Sequence, residues 1–153
     1  MRTTGVLFFV FALCMLGISA PLEARTKPHP HHVVMRVAPA DEYFGRLKMS
    51  ILGIRNQLHD LALRLQYTPN KGEDVLGSAT MVEDALHDWE HKYPADPWLP
   101  RSVYDLTTLY SNVHTAHGHV AAVHALRWML ARYGRTHYGA LARAQIKPHV
   151  GLR

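Results

Sequence analysis

A five-residue segment, His87-Asp88-Trp89-Glu90-His91, carries the side chains best suited to chemistry in this chain. Histidines four residues apart project from the same face of a helix and can bind one Zn²⁺ ion together. A neighbouring glutamate, here Glu90, is a residue type that serves as general base toward a metal-bound water. The segment therefore raises the hypothesis of a catalytic zinc site.

Three observations argue against that hypothesis. The pattern H-x-x-E-H resembles that of the inverted zinc proteases, which are far larger and have a different fold. A catalytic zinc needs a third ligand, and no glutamate follows the segment, since the last acidic residue is Asp105. The apolar stripe of the same helix consists of Val82, Leu86, Trp89 and Tyr93. At about 100° per residue, His87 and His91 lie roughly 140–180° from this stripe, so we expect both to face solvent and predict no catalytic residue.

Three further histidines, His114, His117 and His119, fall within six residues, HTAHGH. Because imidazole binds zinc, copper and nickel, these residues are the candidate metal ligands of the chain. In the functional interpretation they form a site with the histidines of the leader, which are His29, His31 and His32. The alternative, which we favour, is that they are polar loop residues, because a metal site requires ligands that other groups hold in place.

Residues 1–20, MRTTGVLFFVFALCMLGISA, have the pattern of a secretory signal peptide. Arg2 supplies the positive charge, and the apolar stretch of 14 residues that follows is shorter than the roughly 20 residues of a membrane span. We expect cleavage after Ala20, with Ala24 as a second option and an uncleaved anchor as the alternative. The only cysteine, Cys14, lies in this segment. The mature chain would therefore have no disulfide, and we expect it in a bacterial periplasm or outside the cell.

The composition fits one globular domain and gives little support to nucleic-acid binding. The chain has 153 residues, of which 48% are hydrophobic and 19% charged, and its formal net charge is +5. Apart from residues 25–27, its Lys and Arg residues are dispersed, so we predict no nucleic-acid partner. We expect membrane contact only through the signal peptide before cleavage. Basic helix faces, with Arg127, Arg132, Arg135 and Arg143, could touch an acidic partner or anionic lipid, although solubility is the usual explanation.

Seven apolar residues at spacings of 3-4-3-4-3-4 predict a long helix over 41–67, with Asp41 as its N-cap. They are Phe44, Leu47, Ile51, Ile54, Leu58, Leu61 and Leu65. A heptad stripe of this kind is buried against neighbouring helices or against a partner chain. We favour packing within one bundle, with a homo-oligomer through the stripe at 44–65 as the alternative.

An internal repeat with a period of 40 residues occupies the rest of the chain. The first copy contains Val82, Leu86, Trp89, Tyr93, Trp98, Ser102 and Leu106. The matching residues of the second are Ala122, Leu126, Met129, Tyr133, Tyr138, Ala142 and Ile146. Each copy is a helix that ends at a tyrosine, then a turn with Pro or Gly, then a second helix. We therefore expect an all-α fold without a sheet and with five helices, at 41–67, 75–93, 98–113, 118–133 and 136–146.

The segments KYPADPW and RYGRTHY resemble the helix junctions of tetratricopeptide-type repeats, above all the longer-period variety of periplasmic and envelope proteins. The resemblance covers residues 73–146. In that family, aromatic and small residues pack adjacent helices into a right-handed solenoid, and the resemblance implies a binding scaffold. The expected domain is a compact bundle of helical hairpins at 41–147. A flexible leader rich in Pro and His precedes it at 21–40, and a tail follows at 148–153.

Two functional hypotheses follow. The leading one is a non-enzymatic scaffold or adaptor without a cofactor, which binds an envelope protein in a groove between paired helices. The rival is a metal-binding or metal-buffering protein that holds Zn or Cu through its histidines. The tryptophans are expected in the core or at helix junctions, namely Trp89, Trp98 and Trp128. Three acidic residues are expected on a solvated face, namely Asp84, Asp88 and Glu90.

Overall fold

The computed structural model describes residues 37–151 of the chain. The predicted signal peptide lies outside the described residues, as do residues 21–36 of the leader. The helices are α1 (Ile51–Tyr67), α2 (Gly72–Lys92), α3 (Leu99–Ser111), α4 (Ala116–Tyr133), α5 (His137–Leu141) and α6 (Lys147–Val150). A π turn, Ala142–Ile146, joins α5 to α6 into one helical segment. The expected all-α class with five helical segments is confirmed, and residues 37–151 contain no β-strand beyond one isolated bridge.

The first long helix begins at Ile51 and not at residue 41, which corrects the predicted boundary. Ser50 is the N-cap, because its backbone is extended and its Oγ accepts a hydrogen bond of 3.1 Å from the Gly53 N–H. Such a side-chain acceptor satisfies one of the N–H groups that a helix start leaves free. Asp41 is an equally good capping residue type, so capping preference does not distinguish the two positions. The conformation of the residues between them sets where the helix begins.

Residues 44–49 form a tight turn instead of a helix. Phe44 and Met49 exchange two backbone hydrogen bonds of 2.9 Å. Between them Gly45 and Lys48 have φ angles of 67° and 51°, a left-handed conformation that a right-handed helix cannot contain. A Cβ atom at Gly45 would lie 2.8 Å from the Cα of Ala85. Glycine is therefore required there both by the φ angle and by the close approach of α2.

The turn divides the predicted heptad stripe. Leu47 lies in the turn and is 60% exposed, whereas Phe44 is buried and its ring stacks on Trp89 with centroids 5.5 Å apart. The four apolar residues within α1 that remain buried are Ile54, Leu58, Leu61 and Leu65. Because α1 packs on α2 and α3 of the same chain, this part of the stripe is covered without a partner chain.

Both repeat stripes face the core, as their periodicity predicted. Leu86 of α2 and Leu126 of α4 are fully buried. The buried residues beside them are Val82, Trp89, Ala122, Met129 and Tyr133. The second helices of the two copies bury Ser102, Leu106, Ala142 and Ile146. The 40-residue spacing therefore reports two segments that present equivalent faces to one core.

A buried carboxylate holds the junction between α2 and α3. Asp96 is only 2% exposed, and its Oδ2 accepts hydrogen bonds from the Trp89 Nε1 at 3.1 Å and from the Ala38 N–H at 2.9 Å. Its Oδ1 accepts from the Trp98 N–H at 2.9 Å. A buried carboxylate needs such donors in place of water. Residues 37–40 of the predicted flexible leader thus include a packed contact at Ala38.

Helical packing continues past residue 147 into the predicted tail. α6 ends with Val150, which is buried, and Gly151 follows in the left-handed conformation that commonly ends a helix. Pro148 lies in the first turn of α6 and has no N–H to donate to the preceding turn. The π turn lies directly before it, where the regular hydrogen-bond register of the helix is interrupted.

We expect replacement of either central leucine, Leu86→Ala or Leu126→Ala, to lower the free energy of unfolding by about 2–5 kcal/mol, because each leaves a cavity in the shared core. Leu47→Ala is the matched control, and its exposed position predicts a change within about 0.5 kcal/mol. Urea denaturation followed by circular dichroism measures all three. Equal losses in the core variants and the control would contradict the packing described above.

Candidate functional site

His87 and His91 both lie on the solvent side of α2. This confirms the prediction from their angular distance to the buried stripe. The His87 ring stacks on the indole of Trp128, with centroids 4.0 Å apart. Glu90 instead hydrogen bonds to α4. The three side chains do not converge, and among residues 37–151 no three His, Cys, Asp or Glu residues are placed to hold one metal ion.

Glu90 is the acceptor for three side chains of α4. Its Oε1 accepts from the Arg132 Nε at 2.9 Å and from the Tyr133 Oη at 2.7 Å, and its Oε2 accepts from the Trp128 Nε1 at 3.0 Å. Only 12% of the Glu90 side chain is exposed. Burial by itself would raise the pKa of Glu90, but these hydrogen bonds outweigh it and lower the pKa below the ordinary value of 4.5. Glu90 therefore joins α2 to α4 as an ionised acceptor.

Glu83, almost two turns earlier on α2, links that helix to α3. Its Oε2 accepts a hydrogen bond of 2.8 Å from the Tyr110 Oη, and its Oε1 lies 3.8 Å from the His87 Nε2. The Glu83 carboxylate raises the pKa of His87 above the ordinary value of 6.5, while partial burial acts in the opposite direction. Glu83 and His87 thus form a titratable pair beside the Trp128 ring.

The acidic residues Asp84 and Asp88 hold the turn before α1. The Gly45 N–H donates to the Asp88 Oδ2 and the Arg46 N–H donates to the Asp84 Oδ2, both at 2.9 Å. The Asp84 and Asp88 side chains stay 35% and 33% exposed, so the expectation of a solvated acidic face was wrong only for Glu90. Each of these carboxylates contacts a segment that is distant in sequence, so helix periodicity alone could not identify its partner.

The three candidate metal ligands are exposed and lie in two places. His114 and His119 line a cavity of about 140 Å³ together with His149. His117 instead has its Nδ1 3.3 Å from the Glu73 Oε2. The described residues thus do not bring the three into one ligand set. The leader histidines His29, His31 and His32 lie outside the described residues, and the metal hypothesis stays a prediction.

A groove between α1 and α3 is a concave surface that combines apolar and polar groups. Its central part has a volume of about 470 Å³. A second cavity of about 520 Å³ continues it along the same two helices and shares Ala62, Leu109 and Asn112 with it. The apolar lining includes Leu58 and Leu65, which belong to the buried stripe of α1. Ala62 has the smallest side chain at the centre, and its size leaves the groove open.

The polar side chains along this groove have unused hydrogen-bonding capacity. Asn56, His59 and Gln66 of α1 form no side-chain hydrogen bond with any residue of 37–151. The Arg55 guanidinium lies over the Trp98 ring, 5.8 Å from its centroid. An amide side chain offers both a donor and an acceptor, as a peptide backbone does. The groove therefore combines an apolar lining with groups that can hydrogen bond a ligand.

Asp105 is the one acidic residue among those that line the groove. Its Oδ2 lies 3.9 Å from the Arg101 Nε. Burial raises the pKa of Asp105 above its ordinary value, although the guanidinium groups of Arg101 and Arg55 act in the opposite direction. The groove thus contains two arginines, Arg55 and Arg101, beside Asp105. Burial disfavours the charged form of the Asp105 side chain.

One end of the groove is an exposed apolar patch. Leu52 is 62% exposed and Trp98 is 46% exposed, and both line a cavity of about 260 Å³ that shares Arg55 with the central groove. Exposed apolar residues that lie together beside a cavity are typical of binding surfaces. In the sequence, the position of Trp98 indicates packing at a helix junction, and no motif marks the groove residues. The polar groove residues of α1 flank its apolar stripe, and polar residues at such positions are ordinary on a helix surface. The sequence therefore gives little indication of a binding site there.

We expect Glu90→Gln to lower the free energy of unfolding by about 1–3 kcal/mol at pH 7, because the amide cannot accept all three hydrogen bonds as the carboxylate does. Since the pKa of Glu90 is lowered in the folded state, its contribution is complete above pH 4.5 and declines as the pH falls through the folded value. Urea denaturation at several pH values measures the difference in the free energy of unfolding between the unmodified chain and Glu90→Gln. A difference that does not become smaller in acid would show that the Glu90 carboxylate does not supply this stability.

The His87 imidazole provides a second pH-dependent test. Because its pKa is raised, the Glu83–His87 attraction contributes fully below pH 6.5 and is lost as the pH rises through the folded pKa. NMR titration of the imidazole proton should show that pKa fall in Glu83→Gln. Glu73→Gln is the control, since Glu73 contacts His117 instead. An unchanged His87 titration in Glu83→Gln would show that the pair does not interact.

Comparisons with protein-family models, with curated protein sequences and with solved structures find no match to this chain. In the part of the chain that the structure describes, no helix is both long and apolar enough to cross a membrane. The functional proposal therefore rests on the geometry and the charges of the chain itself.

Proposed function

We propose that this chain is a non-enzymatic interaction module that holds an extended segment of a partner protein in the groove between α1 and α3. The observation that carries this proposal is the groove that runs from Leu52 and Trp98 to Gln66. Three of its polar side chains, those of Asn56, His59 and Gln66, have no hydrogen-bond partner among residues 37–151. A ligand in the groove would cover the exposed Leu52, Ala62 and Trp98, whereas Leu58 and Leu65 at its base are already buried.

The dimensions of the groove suit a short extended peptide. From Arg55 to Gln66, α1 advances about 16 Å at 1.5 Å per residue. An extended chain of roughly five residues covers that length. Side chains of such a peptide would contact the exposed Ala62 and the aliphatic parts of the side chains around it, while its backbone would hydrogen bond to the amides. This arrangement divides the binding free energy between apolar burial and backbone recognition.

The proposed setting is the bacterial cell envelope, with an envelope protein as the partner. Residues 1–20 have the pattern of an export signal, and the tyrosine-ended repeats resemble those of envelope scaffolds with tetratricopeptide-type helices. A helical-repeat scaffold binds its partner on a concave helix surface, and a groove between α1 and α3 is a surface of that kind.

Selection of peptides from a displayed random library on the full-length chain tests the proposal. An enriched peptide should bind Ala62→Trp at least about tenfold more weakly, equal to about 1.4 kcal/mol, because the indole fills the centre of the groove. Ala131→Trp is the matched control, since Ala131 is an exposed alanine on α4. Fluorescence anisotropy measures the affinities, and thermal melts compare the folding of the two variants.

Three results would contradict the proposed function. The library could yield no enriched peptide, the enriched peptides could bind Ala62→Trp and Ala131→Trp equally well, or Ala131→Trp alone could weaken their binding. Peptide affinity that falls in Ala62→Trp alone, with an unchanged melting temperature, supports binding in the groove.

A further inference from the structure

Charge is divided unequally along the described chain. Residues 37–105 contain eleven acidic and seven basic residues, a net charge of −4. Residues 106–151 contain five basic residues and no acidic one, a net charge of +5. The basic residues are Arg127, Arg132, Arg135, Arg143 and Lys147. Because α4, α5, the π turn and α6 pack together, this charge is concentrated on one part of the fold.

Two of these basic residues are engaged within the protein. Arg132 pairs with Glu90 at 2.9 Å, and Arg143 donates to the backbone carbonyls of Gly134 and Gly139. Arg127, Arg135 and Lys147 form no hydrogen bond or ion pair with any residue in 37–151. The two arginines are exposed and Lys147 is half-buried. Their charges are therefore available to an external anion.

The exposed residues of α4 form a ridge with helical spacing. Val120, His124, Arg127 and Ala131 are all exposed and follow each other at intervals of four, three and four residues, opposite the buried face that contains Leu126. The acidic residues of α2 near α4 are already bound. Glu90 accepts from α4, Glu83 from Tyr110, and Glu73 lies 3.3 Å from His117.

We propose that the packed segment from α4 to α6 adsorbs to the surface of an anionic phospholipid bilayer through Arg127, Arg135 and Lys147, which we call its basic face. This contact is additional to the one that the sequence predicts for the signal peptide. Guanidinium and ammonium groups pair with lipid phosphates, and several such groups on one surface add their attractions. Val120 is the only large apolar side chain of α4 that is strongly exposed, so the contact is with headgroups and does not insert a helix. A bilayer presents many phosphates at once, so basic residues of different helices can each find a partner on it. This proposal is independent of the peptide groove.

The test compares binding of the full-length chain to phosphatidylcholine vesicles with and without phosphatidylglycerol. The predicted signal peptide would contribute equally to both kinds of vesicle, so the informative quantity is the extra affinity for the anionic ones. Each Lys or Arg at such a surface contributes roughly fivefold, so Arg127→Gln with Arg135→Gln should reduce that extra affinity by roughly tenfold to thirtyfold. Added NaCl should reduce it further.

A matched control separates the basic face from net charge alone. Arg64→Gln with Lys71→Gln also removes two exposed charges, but at the end of α1 and in the turn before α2. We expect this variant to keep the affinity of the unmodified chain for anionic vesicles. Equal losses in the two double variants would overturn the proposal, because they would show a general charge effect. Equal binding to neutral and anionic vesicles would overturn it as well, and binding to an acidic protein without any to vesicles would assign the face to a protein partner.

Discussion

Four acidic residues of one helix, α2, accept hydrogen bonds from the elements that pack around it, and these bonds fix how those elements are placed. Glu90 takes three donors from α4, Glu83 takes one from α3, and Asp84 and Asp88 take backbone donors from the turn at 44–49. A carboxylate that loses water on folding is costly unless such donors replace it. The hydrogen bonds therefore fix one position along α2 for each neighbouring element. Apolar packing alone would allow each element more than one such position.

The same arrangement produces the two surfaces to which function is assigned. The turn at 44–49 docks on α2 and starts α1 at Ile51, so that α1 lies against α3 and leaves a groove at Ala62. The acidic residues are concentrated before residue 106, so α4 and the helices after it carry unneutralised positive charge. The proposed peptide groove and the proposed lipid-binding face therefore belong to different helices and can operate at the same time.

The periodicity of apolar residues correctly predicted which faces of α2 and α4 are buried. The stripes with Leu86 and Leu126 are buried, and His87 faces solvent, because helix geometry relates these positions to each other locally. The prediction failed at 41–50, where Phe44 and Leu47 keep the heptad spacing but the chain turns. It also failed for Glu90, whose three partners on α4 lie about forty residues away, and it did not identify the groove.

What the sequence determined by itself was therefore the set of helices, the faces that they bury, and the large charge difference between the two parts of the chain. These properties follow from residue order, since a helix converts spacing into direction without reference to the rest of the fold. Only the tertiary structure decided that 44–49 is a turn, which donors reach each carboxylate, and where the groove opens. Those features depend on distances between residues far apart in sequence, and such distances exist only after the helices have packed.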